Sequence, residues 1–455
     1  MQTSSDLNTP VQTYLAAPSI AQIRLPANAC DAHVHVFGPV ARFPYASTRS
    51  FTPVEAPKEK LFALHKQMGI DRCVIVQSMI HGLDNAVVAD AIAAGQGRYL
   101  GVALVPEATL VLVFLTMAVV LVLRPQGLGG AAVAVPQREA VPVFMAAPAG
   151  RAGGVFTLLV VAALGWTLSQ GDYSRSLTED LLVMLLLGLS LQVMMALGGL
   201  VSFGHAAFFA LGAYGAALAH LHAGWGLLPA LVAGMALALA VAAAFGLVLT
   251  RMSGVYLAML SLALAQLIWA GASQWVGLTG GDNGLIGLQL VAPESRELFG
   301  WGLLALVLAC VALLGRWSAS SRGAALQALR DAPLRAAASG LPVNRLRYQV
   351  FLLSATLAGL AGGLWAAIKG AVFPSAAGVA TSVDALLVIL LGGVHQLWGA
   401  LVGSALLVWG GAELGRGLDY WRGVLGLVIM GVMVLSPSGV LGGLRDLWLR
   451  TRRGA

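Results

Sequence analysis

Charge is what this 455-residue chain has least of. Only 10% of its residues are Asp, Glu, Lys or Arg, while 58% are hydrophobic, and the mean hydropathy is +0.83. A soluble domain carries nearer ~25% charged residues, so this composition excludes a wholly soluble protein and places much of the chain in lipid. Lysine is almost missing: beyond Lys66 there is Lys369 and no other. The chain also lacks a G-x-x-x-x-G-K-[ST] stretch, so it is expected to bind no cofactor directly and to hydrolyse no ATP itself. Three widely separated cysteines (Cys30, Cys73, Cys310) give neither a disulfide framework nor a zinc spacing. The first thirty residues lack a basic start followed by an apolar run, so no signal peptide is expected there.

The charge that is present is uneven. Residues 1–107 hold eight Lys/Arg and eight Asp/Glu; residues 108–455 hold nineteen and twelve, so the formal +7 belongs to the apolar part. Arginines grouped between apolar spans orient a chain in a bilayer and meet anionic lipid; they do not indicate nucleic-acid binding. The densest group is the island Arg316–Arg347, with six arginines and a single acid, Asp331. Short basic loops stay on the cytoplasmic side, so this island fixes the topology. Leu326, Leu329 and Leu334 recur within it at roughly helical spacing, which predicts an amphipathic helix.

Residues 1–24 are polar and are expected to be disordered. From Ala29 the pattern becomes that of a soluble α/β protein. CDAHVHVF, DRCVIVQS and RYLGVALVP read as strands; KEKLFALHKQMG and DNAVVADAIAAG read as helices between them. This β-α-β-α-β run opens a parallel sheet or barrel. DAHVHVFGP, RFPYA and GIDRCVIVQS resemble the N-terminal part of the amidohydrolase superfamily, in particular its 2-pyrone-4,6-dicarboxylate lactonase-like branch. The resemblance covers about residues 25–106 and implies a TIM-barrel-type fragment. His33 and His35 match the pair that ends the first barrel strand and binds a divalent metal. Active sites on that fold draw residues from several strand ends, and three strands cannot supply them. The histidines are therefore expected to be vestigial, with no metal and no catalytic residue.

At Glu107 the character changes. ATLVLVFLTMAVVLVL followed by RPQGLGG resembles the last helix and tail of LivH-type permeases (about 107–130), and residues 131–151 form an Ala/Pro/Val linker. From about 152 to the end come repeated apolar spans, near 155–169, 180–198, 200–221, 226–249, 255–276, 298–315, 348–370, 384–393, 396–411 and 422–436. The fold class expected is thus a polytopic α-helical membrane protein of about 9–10 segments, with an incomplete N-terminal α/β fragment. Arg151, Arg251, the island and the arginine-rich tail fall on one side if the block 384–411 is two short segments, which puts the C-terminus in the cytoplasm. Gly-broken short segments of this kind surround polar paths in transporters.

GLVSFGHAAFFALGAY, SGVYLAMLSLALAQ, LTGGDNGL and LLGGVHQLWGALVGSALL resemble, in order, the LivM-type permease of branched-chain amino-acid ABC importers. The resemblance implies a subunit of the bacterial inner membrane, working by alternating access. Its implied partners are a LivH-type permease, two ATPase subunits that use the ATP, and a periplasmic binding protein. It also makes the island a coupling loop, with Leu326, Leu329, Arg330, Asp331, Arg335, Ala336, Ala337 and Gly340 as the residues engaging the ATPase. The glutamate that precedes the paired alanines in related importers is replaced here by Arg335. Gln192, Gly204, His205 and Gln266 are the candidate substrate path, since polar groups in hydrocarbon face an interior or an interface. Lys369 and Asp384 belong to the same polar set, and the His205 ring has a structural reading as well, bonded to a helix end. Thr279, Gly280, Gly281, Asp282, Asn283 and Gly284 form an external loop. Two rival readings remain at this point: a membrane-tethered hydrolase or lactonase, and a gene-fusion product without function.

Overall fold

The computed structural model describes residues 10–15, 25–102 (apart from 48, 50 and 83), 116, 119–120, 144, and 151–443 (apart from 253, 418–420 and 437). The chain divides into two compact units, Met1–Thr109 and Leu110–Ala455. Most of residues 1–24, the 107–130 helix and tail, the 131–151 linker and the arginine-rich C-terminus lie outside the described residues.

In the first unit, β1 (Cys30–Val34), α1 (Lys58–Met68), β2 (Arg72–Val76), α2 (Ala86–Ala94) and β3 (Tyr99–Val102) alternate as read. The strands are parallel and ordered β1-β2-β3, with Asp31 opposite Cys73 and Cys73 opposite Tyr99. Helix α1 ends where Gly69 takes a left-handed conformation, a turn that a residue with a Cβ adopts only with strain. Ile75, Val88 and Ala91 sit in the apolar layer between helix and sheet.

The second unit is a helical bundle. Among the described residues six helices are long and apolar enough to cross a membrane. Together with shorter ones they run α3 (Arg151–Ser169), α4 (Asp172–Gln192, continued by a π turn Val193–Leu197), α5 (His205–Ala223), α6 (Leu227–Leu249), α7 (Val255–Gln274) and α8 (Arg296–Ser318). Next come α9 (Ser321–Asp331), α10 (Pro333–Ala338), α11 (Val343–Lys369), α12 (Val379–Gly392), α13 (Gly399–Ala405) and, after a second π turn at Leu406–Gly410, the helix Gly411–Gly417. After it comes α14 (Trp421–Leu435).

The bundle is centred on α4, α5, α6 and α11. Small residues set its spacing. A Cβ on Gly212 would lie 1.9 Å from the Gly359 carbonyl oxygen, and one on Gly362 would lie 1.8 Å from that of Phe209. Gly359 and Gly363, the G-x-x-x-G pair, stand four residues apart on α11, and a Cβ on either would also press on α6, against Ala238 and Leu231. Gly359 and Gly362 thus both meet the α5 backbone, while the first also faces α6. Where apolar surface gains nothing by leaving lipid, such close backbone approach supplies the packing energy.

One end of the bundle is held by ion pairs. Arg296 meets Glu179 at 2.8 Å and Lys369 meets Asp180 at 2.7 Å, joining α8 to α4 and α11 to α4. The short antiparallel pair β4 (Leu285–Ile286) and β5 (Ala371–Val372) lies at the same end. The opposite end carries α9 and α10.

Candidate functional site

The break between α4 and α5 organises the interior. After the π turn the chain leaves the helix through Val201–Gly204 and re-enters helix at His205. Amides freed at a break inside hydrocarbon need partners from the protein. Ser261 of α7 accepts from the Phe203 amide at 3.1 Å, and Ser382 of α12 accepts from the Ala206 amide at 3.0 Å. Ser190 of α4 donates to the Leu187 carbonyl, which leaves its oxygen to accept from His205 Nε2 at 2.7 Å. Ser354 of α11 donates to the Ser190 carbonyl at 2.6 Å. This pattern assigns a proton to His205 Nε2. Gly204 is required at the break: a Cβ there would fall 1.7 Å from the Ser261 carbonyl oxygen.

Two residues read as substrate path are therefore sealed into packing. His205 is 1% exposed, and Gln192 is fully buried with Nε2 2.6–3.2 Å from the carbonyls of Gly393, Val394 and Gln396. Both satisfy interruptions in the chain. Gln266 is half-buried on α7 and joins neither of them; Asp384 is half-buried on α12, and Lys369 belongs to the ion pair with Asp180. The serines that satisfy the break went unread, because one hydroxyl in an apolar run carries no pattern; four isolated serines on four spans was the available signal.

In the loop Thr279–Gly284, Thr279 Oγ1 donates back to the Ala272 and Trp275 carbonyls, and Gly280 and Gly284 have positive φ. A Cβ on Gly280 would lie 2.1 Å from the Gly284 carbonyl oxygen. Gly281 is buried, while Asp282 and Asn283 point outward and are exposed.

The arginine island forms two helices, not one. Ser320 caps α9 by accepting from the Gly323 amide, and Pro333 pushes Ala332 to φ −144°, ψ 75°, breaking the run. Leu326, Leu329, Arg330 and Ala336 are buried within this unit. The apolar face of α9 is thus filled by its own bundle. Beyond the break Leu334 projects outward, 88% exposed. Arg335, Ala337 and Gly340 are exposed beside it, and Asp331 is 43% exposed at the end of α9. Gly340, at φ +81°, turns the chain into α11.

Arg330 runs inward. Its Nε donates to Asp331 at 2.7 Å, while Nη1 donates to the Ala196 carbonyl in the π turn and lies 3.3 Å from His395 Nδ1. Intramembrane π turns free carbonyls of this kind for outside donors.

In the first unit His33 and His35 bring their Nε2 atoms to 3.4 Å, on a cleft of about 720 Å³ that Phe37, Lys60 and Leu64 also line. His35 Nδ1 donates to the Val76 carbonyl at 2.8 Å, which turns Nε2 outward as an acceptor. Among the described residues no group of three or more His, Cys, Asp or Glu side chains converges. Two imidazoles do not make up the donor set of a catalytic divalent ion.

Burial lowers the pKa of His65 and of His81; for His65 the Asp31 hydrogen bond partly opposes the effect. The unfolded chain then binds more protons once pH falls below about 6.5, so this unit loses stability in that direction. Hydrogen exchange of residues 58–102, corrected for intrinsic rates, is expected to be faster at pH 5.5 than at 7.5. Equal protection at the two values would contradict it.

A bundle of membrane-length helices around a broken segment, bearing a firmly seated pair of short helices at one end, defines a polytopic membrane permease. The chain belongs to the family described as branched-chain amino acid transport system / permease component, which matches residues 176–436. It is 30% identical over 318 residues to the high-affinity branched-chain amino acid transport system permease protein LivM of Escherichia coli, covering 62% of this chain and 73% of that protein. Residues 30–112 match the amidohydrolase family. There the chain is 47% identical over 92 residues to a 2-pyrone-4,6-dicarboxylate hydrolase of Comamonas testosteroni, and 42% identical over 93 residues to a 4-sulfomuconolactone hydrolase of Rhizobium radiobacter. Each stretch is 20% of this chain but only 30% and 31% of those hydrolases. The protein is thus a multi-pass permease subunit, with a segment similar to part of the amidohydrolases at its N-terminal side.

Proposed function

We propose that the chain is one permease half of an ATP-driven importer for branched-chain amino acids or related small solutes in a bacterial inner membrane. Its partners would be a LivH-type permease, two ATPase subunits and a periplasmic binding protein, with ATP used by the ATPases alone. The observation that carries this is the exposed tip Leu334–Gly340, mounted on a helix whose other face is buried in the bundle. A surface that receives motion from a motor must be held rigidly behind and open in front. The basic α9–α10 end would face the cytoplasm and the Thr279–Gly284 loop the outside. The first unit is proposed to be inactive, since it presents two histidines and about a third of a hydrolase.

The test is purification of the tagged full chain from membranes together with its partners. A Walker-A ATPase is expected to co-purify, and proteoliposomes of the complex are expected to take up labelled leucine only with ATP and binding protein. No metal-dependent lactone hydrolysis beyond that of a His33→Ala, His35→Ala variant is expected. Recovery of the chain without an ATPase, or with hydrolase activity lost in that variant, would overturn the reading.

A further inference from the structure

We propose that Arg330 is the positioning residue that passes motion of α9 and α10 to the helix pair α12–α13. The proposal rests on the importer reading above, and deepens it by naming the inward path.

The geometry has three parts. Arg330 is 4% exposed, and its guanidinium ties α9 to two other pieces of chain, the α4 π turn through the Ala196 carbonyl and the 393–398 loop through His395. A planar guanidinium fixes several directions at once, whereas an ammonium is a point charge on a flexible stem. The same loop is also held through its carbonyls by Gln192, the residue just before the π turn. One short stretch of α4 therefore holds the loop directly through Gln192, and α9 through Arg330.

The loop is in turn inseparable from the helices it joins. A Cβ on Gly392 would lie 1.7 Å from the Gly399 carbonyl oxygen, and one on Gly403 would lie 1.7 Å from that of Val388. Helices in backbone contact move as one body, because packed interiors transmit displacement without absorbing it. A shift of α9 thus arrives at α12–α13 as a rigid-body movement. Ser382 on α12 bonds the Ala206 amide at the start of α5, so the movement reaches the central break as well.

The experiment compares Arg330→Lys and Gln192→Met with wild type in proteoliposomes of the complete complex, reading leucine moved per ATP hydrolysed. Both variants keep side-chain bulk and leave the exposed Leu334 tip untouched. Both are expected to assemble and hydrolyse ATP, while leucine per ATP falls roughly tenfold, within the usual span of coupling between sites. An unchanged ratio in either variant overturns the proposal. So does an equal fall in hydrolysis and uptake, which would mark a merely structural role. If the wild-type complex itself shows no ATP-dependent uptake, the importer reading fails, and this is distinguishable because no variant is needed to see it.

Discussion

Changing Leu334 to glutamate is expected to strip the ATPase subunits from the purified complex and to abolish ATP-dependent uptake, while the permease itself stays folded. The side chain is 88% exposed, at the start of a six-residue helix whose neighbours Arg335, Ala337 and Ala338 are also exposed. Nothing in the bundle depends on it, so the substitution costs little in folding stability. At a partner surface the balance reverses. Burying a leucine contributes about 1.5–3 kcal/mol, and a carboxylate in its place must be desolvated without a partner. A loss of about 3 kcal/mol weakens binding more than a hundredfold. Leu326→Ala makes the contrast: Leu326 is fully buried against the bundle, so its truncation is expected to cost about 2–5 kcal/mol of permease stability. Co-purification and thermal unfolding, measured on both variants, separate the two. If Leu334→Glu retains its ATPases, the exposed tip is not the docking surface.

The contrast between these two leucines shows how far the sequence could be read. Helical spacing identifies residues that share a face, and Leu326 and Leu329 do share one. Spacing does not say what covers that face. An apolar stripe looks the same whether it seats in a partner's groove or on its own bundle. Pro333 was an available signal for the break between α9 and α10 that the leucine spacing overrode. The direction in which Leu334 then points depends on the backbone at Ala332, which is tertiary information. The arginine island, the apolar spans and the β-α-β-α-β opening were legible because each rests on composition or periodicity over ten or more residues.

Polar residues in apolar spans were ambiguous for a related reason. Gln192 and His205 cost the same in hydrocarbon whether they line a path or cap an interrupted backbone. Sequence showed that each needed a partner, but not that the partners would be the 393–396 carbonyls and the Ser190 hydroxyl. The ion pairs Glu179–Arg296 and Asp180–Lys369 join positions more than a hundred residues apart, and no local pattern foretells them. At the other extreme, His33 and His35 fall together as their spacing implies, since alternate residues of a strand point to one side. Spacing along one strand says nothing of further ligands, and among the described residues no third His, Cys, Asp or Glu joins this pair.

The second large effect is expected at Gly212. Replacing it with leucine should remove nearly all folded permease from the membrane. A Cβ there would lie 1.9 Å from the Gly359 carbonyl oxygen and 2.4 Å from the Gly359 Cα, both backbone atoms of α11. A flexible neighbour could turn aside; a helix backbone cannot. Relief requires α5 and α11 to separate, and that displacement spreads. Gly234 on α6 is packed against the Gly212 carbonyl, where a Cβ would come within 2.3 Å, and Gly362 meets the Phe209 carbonyl one turn away. Three helices therefore lose their contact together. Overpacking in an ordinary core costs about 1–3 kcal/mol, and here the full leucine side chain must enter a backbone crossing, so the cost is expected to exceed that range. Serine at the same position, with a smaller side chain but the same Cβ, should still fail. Gly271→Leu serves as the comparison, because a Cβ there meets nothing within 4 Å. Detergent-extracted yield and the midpoint of thermal unfolding are the readouts. A Gly212→Leu protein with wild-type yield would mean that α5 and α11 do not cross at backbone contact, and the positions of Ser354 and His205, which depend on that crossing, would have to be redrawn.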